Sequence, residues 1–203
     1  HQQVAKQVAA VTEGYPLAIQ LLAAAYDTYD GEPQHFLARW DEWLAVAERQ
    51  GLDPRHARFA TAIEFSLAPL TPLERERLIR LSAFDIPFLA EAAAFIWDLP
   101  VDEEGEPTED ALRGAVQMLG CFRRRSLLQV EAYHTDETGN PTDRPAIYRF
   151  QPAIRQELCR RSSTTDPPPG TFAYGVWLAR RAYHEIDRSP MWANLVWRSL
   201  PLL

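Results

Sequence analysis

Leu70-Thr71-Pro72-Leu73-Glu74-Arg75 opens the stretch that decides the fold, Ser66 to Phe150. Thr71 stands at a helix cap, Pro72 at the first helical position and Glu74 three residues after the cap, the pattern of a capping box. The helix it starts runs to about Ala83. Leu70, Leu73, Leu78, Leu81 and Phe84 supply its inward side, while Glu74, Arg75, Glu76, Arg77 and Arg80 face water. Glu76 and Arg80 have favourable i,i+4 spacing. After Asp85 and Pro87, the residues Phe88, Ala92, Phe95 and Ile96 recur at helical intervals up to Trp97.

A polar loop, Asp98 to Pro107, leads to a third helix. Thr108 caps it, and Glu109 and Asp110 lie in its first turn, where the helix dipole favours acids. Leu112, Ala115, Val116, Leu119 and Phe122 form its stripe, and Arg123, Arg124 and Arg125 close it at the end that favours cations. The period then falls from 3.6 to 2. Leu128, Val130 and Ala132 alternate with Gln129, Glu131 and Tyr133, a half-buried strand. His134 to Pro145 is a long turn with Gly139-Asn140-Pro141 at its tip, and Ala146, Tyr148 and Phe150 alternate with Ile147 and Arg149 on the return. Three helices followed by a hairpin is the order of a winged-helix domain, and the long hairpin loop suits a wing.

The flanks read as helices. Val4, Val8 and Val11 share one face of a first helix, ended by Gly14, and Pro16 begins the next, which carries Leu17, Leu21, Leu22 and Ala25 inward. Phe36, Leu37, Trp40, Trp43, Leu44 and Ala47 mark a third helix, and Phe59, Ile63 and Leu67 a fourth. Downstream, Pro152 opens a helix with Ile154 and Leu158 inward and Arg155, Arg160 and Arg161 outward. Ser162 to Gly170 has no helical reading. Phe172, Val176, Ala179, Tyr183 and Ile186 mark another helix, and Ser189-Pro190 caps one holding Trp192, Leu195, Val196 and Leu200. The expected architecture is therefore mainly α. A small helical bundle (1–62) precedes a winged-helix domain with a two-stranded wing (63–162). A linker (163–170) then leads to a helical hairpin (171–203), the start of a TPR-like repeat region. His1 falls inside a helical pattern, the mark of a piece of a longer protein.

Composition narrows the function. The chain has 203 residues, 46% of them hydrophobic, enough for real cores. Its net charge of −7 argues against the whole chain being a nucleic-acid binder, since phosphate binding is dominated by cations. The two cysteines, Cys121 and Cys159, lack metal-ligand spacing and read as buried, reduced thiols of a cytoplasmic protein. No signal peptide and no apolar run long enough for a membrane span is present. His35, His56, His134 and His184 are scattered, so no metal site is expected. Asp102, Glu103 and Glu104 read as a solvated loop, and Asp136, Glu137 and Asp143 lack the EF-hand spacing.

Three pieces carry a resemblance to a family. Gly14-Tyr15-Pro16-Leu17-Ala18 is similar to the GLPLAL motif of the STAND class of signal-transduction ATPases, the NB-ARC and AP-ATPase group. Phe65-Ser66-Leu67, with Leu70 to Arg75 and Leu81-Ser82-Ala83-Phe84, is similar to that family's entry into its winged helix. Tyr148 to Arg155 looks like the segment that ends it. The resemblance covers residues 1 to 160 and implies a switch in which ADP holds a closed state and ATP, with magnesium, releases it for oligomerisation. It implies that Gly14, Tyr15 and Pro16 lie on the adenine side of the nucleotide in the intact protein. It also implies a phosphate-sensing histidine, and the matching position here is Gln151, whose amide can donate a hydrogen bond but carries no imidazolium charge. The implied partners are the protein's own nucleotide-binding core and C-terminal sensor repeats.

The chain carries no phosphate-binding loop of its own. Such a loop needs glycines for close backbone approach and a lysine on the phosphates, and Lys6, the sole lysine, has no glycine beside it. By this reading the fragment is not an enzyme and holds no cofactor, while the full-length protein is an ATPase. Two other readings compete. Arg123, Arg124 and Arg125 would serve a DNA-binding winged helix or an interface with a neighbouring domain, or would simply complement the helix dipole in water. Glu109 and Asp110, at the end of the helix that usually reads bases, would be repelled by phosphates. A scaffold whose aromatic C-terminal helices bind a protein is the remaining alternative.

Overall fold

The computed structural model describes residues 2–132, 146–162 and 168–185. The expected wing tip, most of the linker and the helix expected after Ser189 lie outside the described residues. The described part is mainly helical, with one two-stranded antiparallel sheet. It divides into two compact units, residues 1–75 with 124–127, and residues 76–123 with 128–203.

The first unit holds α1 (Gln2–Val11), α2 (Pro16–Asp27), α3 (Pro33–Arg49), α4 (Pro54–Leu67) and the beginning of α5 (Pro72–Leu81). α2 to α5 each start with proline, whose fixed φ and missing N–H suit a first helical position. α2 packs on α1 and α4, and α3 packs on α4. Leu21, Leu22, Phe36, Trp40, Ile63 and Leu67 are fully buried between them. Phe65 is the hub of an aromatic cluster, 5.2 Å from Phe36, 5.7 Å from Trp40 and 4.8 Å from Trp43 between ring centroids. The capping box at α5 forms as the sequence predicts. The Thr71 amide and hydroxyl both donate to Glu74 Oε2 at 2.8 Å, and the Glu74 amide donates to Thr71 Oγ1 at 3.2 Å.

In the second unit α5 is followed by α6 (Ala90–Ile96), α7 (Glu109–Arg124), β1 (Gln129–Ala132), β2 (Ile147–Arg149), α8 (Pro152–Arg161) and α9 (Thr171–Glu185). Thr108 caps α7, accepting from the Ala111 amide at 3.3 Å. Phe88, between α5 and α6, exchanges both backbone hydrogen bonds with Tyr148 at 2.8 Å. β2 therefore pairs with β1 on one edge and with a single residue on the other. The β1–β2 ladder runs Gln129 to Arg149 and Val130 to Tyr148, then slips at a bulge so that Ala132 faces Ile147. Phe84 stacks on Phe88 at 5.2 Å and meets Tyr174 edge-on at 5.6 Å. Arg155 donates to the carbonyls of Phe84 and Ala83 at 3.0 and 3.4 Å, closing the C-terminal end of α5.

Several expected faces differ. Leu73 and Val116, placed inward by periodicity, are 53% and 46% exposed, because each sits at the margin of a stripe that Leu78 and Leu81, or Ala115 and Leu119, fill. α9 buries Tyr174, Trp177, Leu178 and Ala182 and leaves Phe172 and Tyr183 in water. The strict alternation expected of the hairpin fails at the bulge, and Ile147 and Tyr148 are both buried. The two cysteines are free, but neither is buried, Cys121 being half-buried and Cys159 exposed on α8. Ile154 and Leu158 take the inward positions of α8, and the Cys159 thiol lies at its margin, donating to the Ser82 carbonyl at 3.3 Å.

Candidate functional site

The turn between α1 and α2 is built by backbone conformation. Thr12 ends α1 with its hydroxyl on the Val8 carbonyl at 2.8 Å. Glu13 and Gly14 both take left-handed φ, +51° and +73°. Their amides reach back to Ala10 and Ala9 at 3.1 and 3.0 Å, which closes the helix with a Schellman arrangement. The left-handed residue directly after the cap is thus Glu13, with Gly14 next, where the sequence had pointed to Gly14 alone. Tyr15 is extended at the N-cap of α2 and Pro16 follows at the first helical position. No side chain caps α2.

α4 lies beside this turn. Asp53 caps it, accepting from the amides of Arg55 and His56 at 3.1 and 3.2 Å, and its carboxylate also meets the His56 ring. The His56 ring and amide hold the Asp53 carboxyl below its ordinary range. This cap sends Arg55 and Arg58, one turn apart, to the same face. Arg58 Nη2 pairs with Glu13 Oε1 at 2.6 Å and Nη1 donates to the Pro54 carbonyl at 3.1 Å. The Arg55 guanidinium carbon lies 5.1 Å from the Tyr15 ring centroid, and that ring meets Phe59 edge-on at 5.8 Å.

These residues enclose a cavity of about 220 Å³, lined by Thr12, Glu13, Gly14, Tyr15, Pro16, Arg55 and Arg58. Gly14, Tyr15 and Pro16, singled out from the sequence, are brought together on its wall. Arg55 and Arg58 were missed, since they lie some forty residues away in the chain. Their signal was available, two arginines at i,i+3 directly after an Asp-Pro helix start.

The other expected site residues fall elsewhere. Gln151 is in the second unit, half-buried at the N-cap of α8, where its side chain makes no capping bond. Arg123 and Arg124 are exposed at the end of α7. Arg125 is half-buried, with Nε and Nη1 buried and lacking a hydrogen-bond partner among the described residues. At the start of α7, Glu109 and Asp110 both pair with Arg113 at 2.8 Å. Among the described residues no cluster suits a metal ion, and no helix is long and apolar enough to cross a membrane.

No family model matches this chain, and no curated protein or solved structure matches it.

Proposed function

We propose that this chain is the regulatory part of a STAND-type nucleotide switch, a helical subdomain followed by a winged helix. It couples the ADP or ATP state of a nucleotide-binding core to rearrangement and oligomerisation. The observation that carries the reading is the cavity at Gly14-Tyr15-Pro16. The motif that resembles the family's adenine-side segment lines a concave surface. The element order adds support. Helix α5, the Phe88 pairing, helices α6 and α7, then β1 and β2 follow one another as in a winged helix, with Phe88 in the position of its first strand. The start of a repeat region in α9 belongs to the same proposal. Energetically the switch is a two-state hinge whose balance follows differential contacts to the nucleotide.

The test uses the intact protein. ADP is expected to co-purify with it, and Pro16→Ala is expected to accelerate ADP release by removing a rigid apolar face from the base. An intact protein that retains no nucleotide, or a variant with unchanged release, overturns the reading. The DNA-binding alternative is disfavoured because the first turn of α7 presents the carboxylates of Glu109 and Asp110 and Arg125 is half-buried, which leaves Arg123 and Arg124 as the exposed cations of its last turn.

A further inference from the structure

We infer that the cavity at the Thr12–Pro16 turn is a binding site for a phosphate oxyanion, held by Arg55 and Arg58. Its charged lining is Glu13, Arg55 and Arg58, so the site carries an excess positive charge in a chain of net charge −7. The Arg58 head is fixed by Glu13 on one nitrogen and the Pro54 carbonyl on another. Each of these two nitrogens carries a second N–H that meets no partner among the described residues. Arg55 makes no ion pair among the described residues, and the Tyr15 ring face holds its planar fork in place. Unspent donors on two fixed guanidinium groups match an oxyanion. The start of α2, uncapped by any side chain, adds partial positive charge on the same wall.

At about 220 Å³ and open to solvent on one side, the cavity has room for a phosphate group, and anything attached to that group can extend outward. Glu13 offsets one of the two guanidinium charges by pairing with Arg58, which leaves the charge of Arg55 in excess. The inference goes beyond the switch reading, since it assigns an anion to a wall where that reading expects a base. It stands or falls separately.

The chain itself is titrated with inorganic phosphate, ADP and adenosine. The Gly14 amide and the Arg55 and Arg58 Nε–H resonances are followed by NMR. Phosphate and ADP are expected to shift these signals saturably and adenosine to leave them in place. Arg55→Gln, at an exposed position that leaves packing intact, is expected to weaken phosphate binding at least tenfold, and Arg58→Gln likewise. Arg113→Gln, on α7, is expected to change nothing. Free phosphate and nucleotide are separated as sources by competition, ADP displacing phosphate only if its own phosphates occupy the cavity. Adenosine binding as well as ADP while phosphate does not bind would overturn the anion site and leave the nucleotide switch standing. Saturable phosphate binding with no nucleotide held by the intact protein would do the reverse. Silence from all three ligands, or an unaltered affinity in Arg55→Gln, also overturns the inference.

Discussion

Replacing Gly170 by alanine tests how α9 is seated. Gly170 has φ +89° in the turn that starts α9, and a Cβ there would overlap the backbone carbonyl oxygen of Phe95 at the end of α6. Two penalties follow. The left-handed φ costs a residue with a Cβ roughly 1–2 kcal/mol. The overlap is with backbone, which cannot swing aside as a side chain would, so the turn must move. The start of α9 would move with it, and Tyr174 is anchored there, 5.6 Å from Phe84 and 5.8 Å from Trp177. Overpacking of this kind costs about 1–3 kcal/mol, for a total near 2–5 kcal/mol. Gly14 supplies the control. It has a similar φ, +73°, but a Cβ there meets nothing within 4 Å. Gly14→Ala should therefore show the φ penalty alone. Urea unfolding followed by tryptophan fluorescence gives the two differences, and hydrogen exchange of the α9 amides locates the damage. If Gly170→Ala unfolds no earlier than Gly14→Ala, or leaves α9 protection unchanged, the reasoning about close approach is wrong.

Glu91→Gln should stabilise the protein at neutral pH. Burial raises the Glu91 carboxyl above its usual 4.5, its own backbone amide and then Arg181 only partly offset the rise, Glu106 adds a little to it, and Oε2 has no hydrogen-bond partner among the described residues. Folded Glu91 thus holds its proton more tightly than the unfolded chain does, so stability falls as pH rises from about the unfolded value through the folded one. The variant should remove that fall and gain on the order of 1 kcal/mol above the window. Parallel stability curves for the two proteins across acid to neutral pH would refute it. Thr71→Ala should cost about 1 kcal/mol, since it takes away the cap of α5 and one donor to Glu74. The same change should raise the Glu74 carboxyl, now held low first by the Thr71 amide and then by its hydroxyl. Carboxyl NMR titration reads that shift, and its absence would exclude the Thr71 hydroxyl as a cause.

Features set by neighbours in sequence were legible, and those set by distant parts of the chain were not. Thr71, Pro72 and Glu74 fix a helix start within four residues, and their hydrogen bonds form as read. Ala115, Leu119 and Phe122 mark the buried face of α7 by spacing alone. The Phe88–Tyr148 pairing joins residues sixty apart through one residue with no strand pattern around it, and nothing local announces it. The bulge between Val130 and Ala132 breaks the very alternation used to find the strand. The site divides in the same way. Gly14 and Pro16 signal a turn wherever they occur together, but the cavity exists because Arg55 and Arg58 come from another helix.

α9 shows why periodicity alone fails on a helix that is apolar on two sides. Phe172, Val176, Ala179 and Tyr183 recur at i, i+4, i+7 and i+11; Tyr174, Trp177, Leu178 and Ala182 recur at i, i+3, i+4 and i+8. Either set makes an acceptable inward face. Area leans to the second set, in which Tyr174, Trp177 and Leu178 stand against Phe172, Val176 and Tyr183, but periodicity does not register it. Polar matching and close approach do choose. Burying Trp177 obliges its indole N–H to find an acceptor, and Glu106 Oε2 receives it at 2.5 Å from the loop before α7. The glycine at 170 lets the helix start lie directly on the Phe95 carbonyl, which fixes the rotation of α9 about its own axis. Turning the helix to bury Phe172 and Tyr183 would break the indole bond and leave Glu106 without its donor. One hydrogen bond and one missing Cβ therefore reinforce a choice that periodicity leaves open and the larger face only favours.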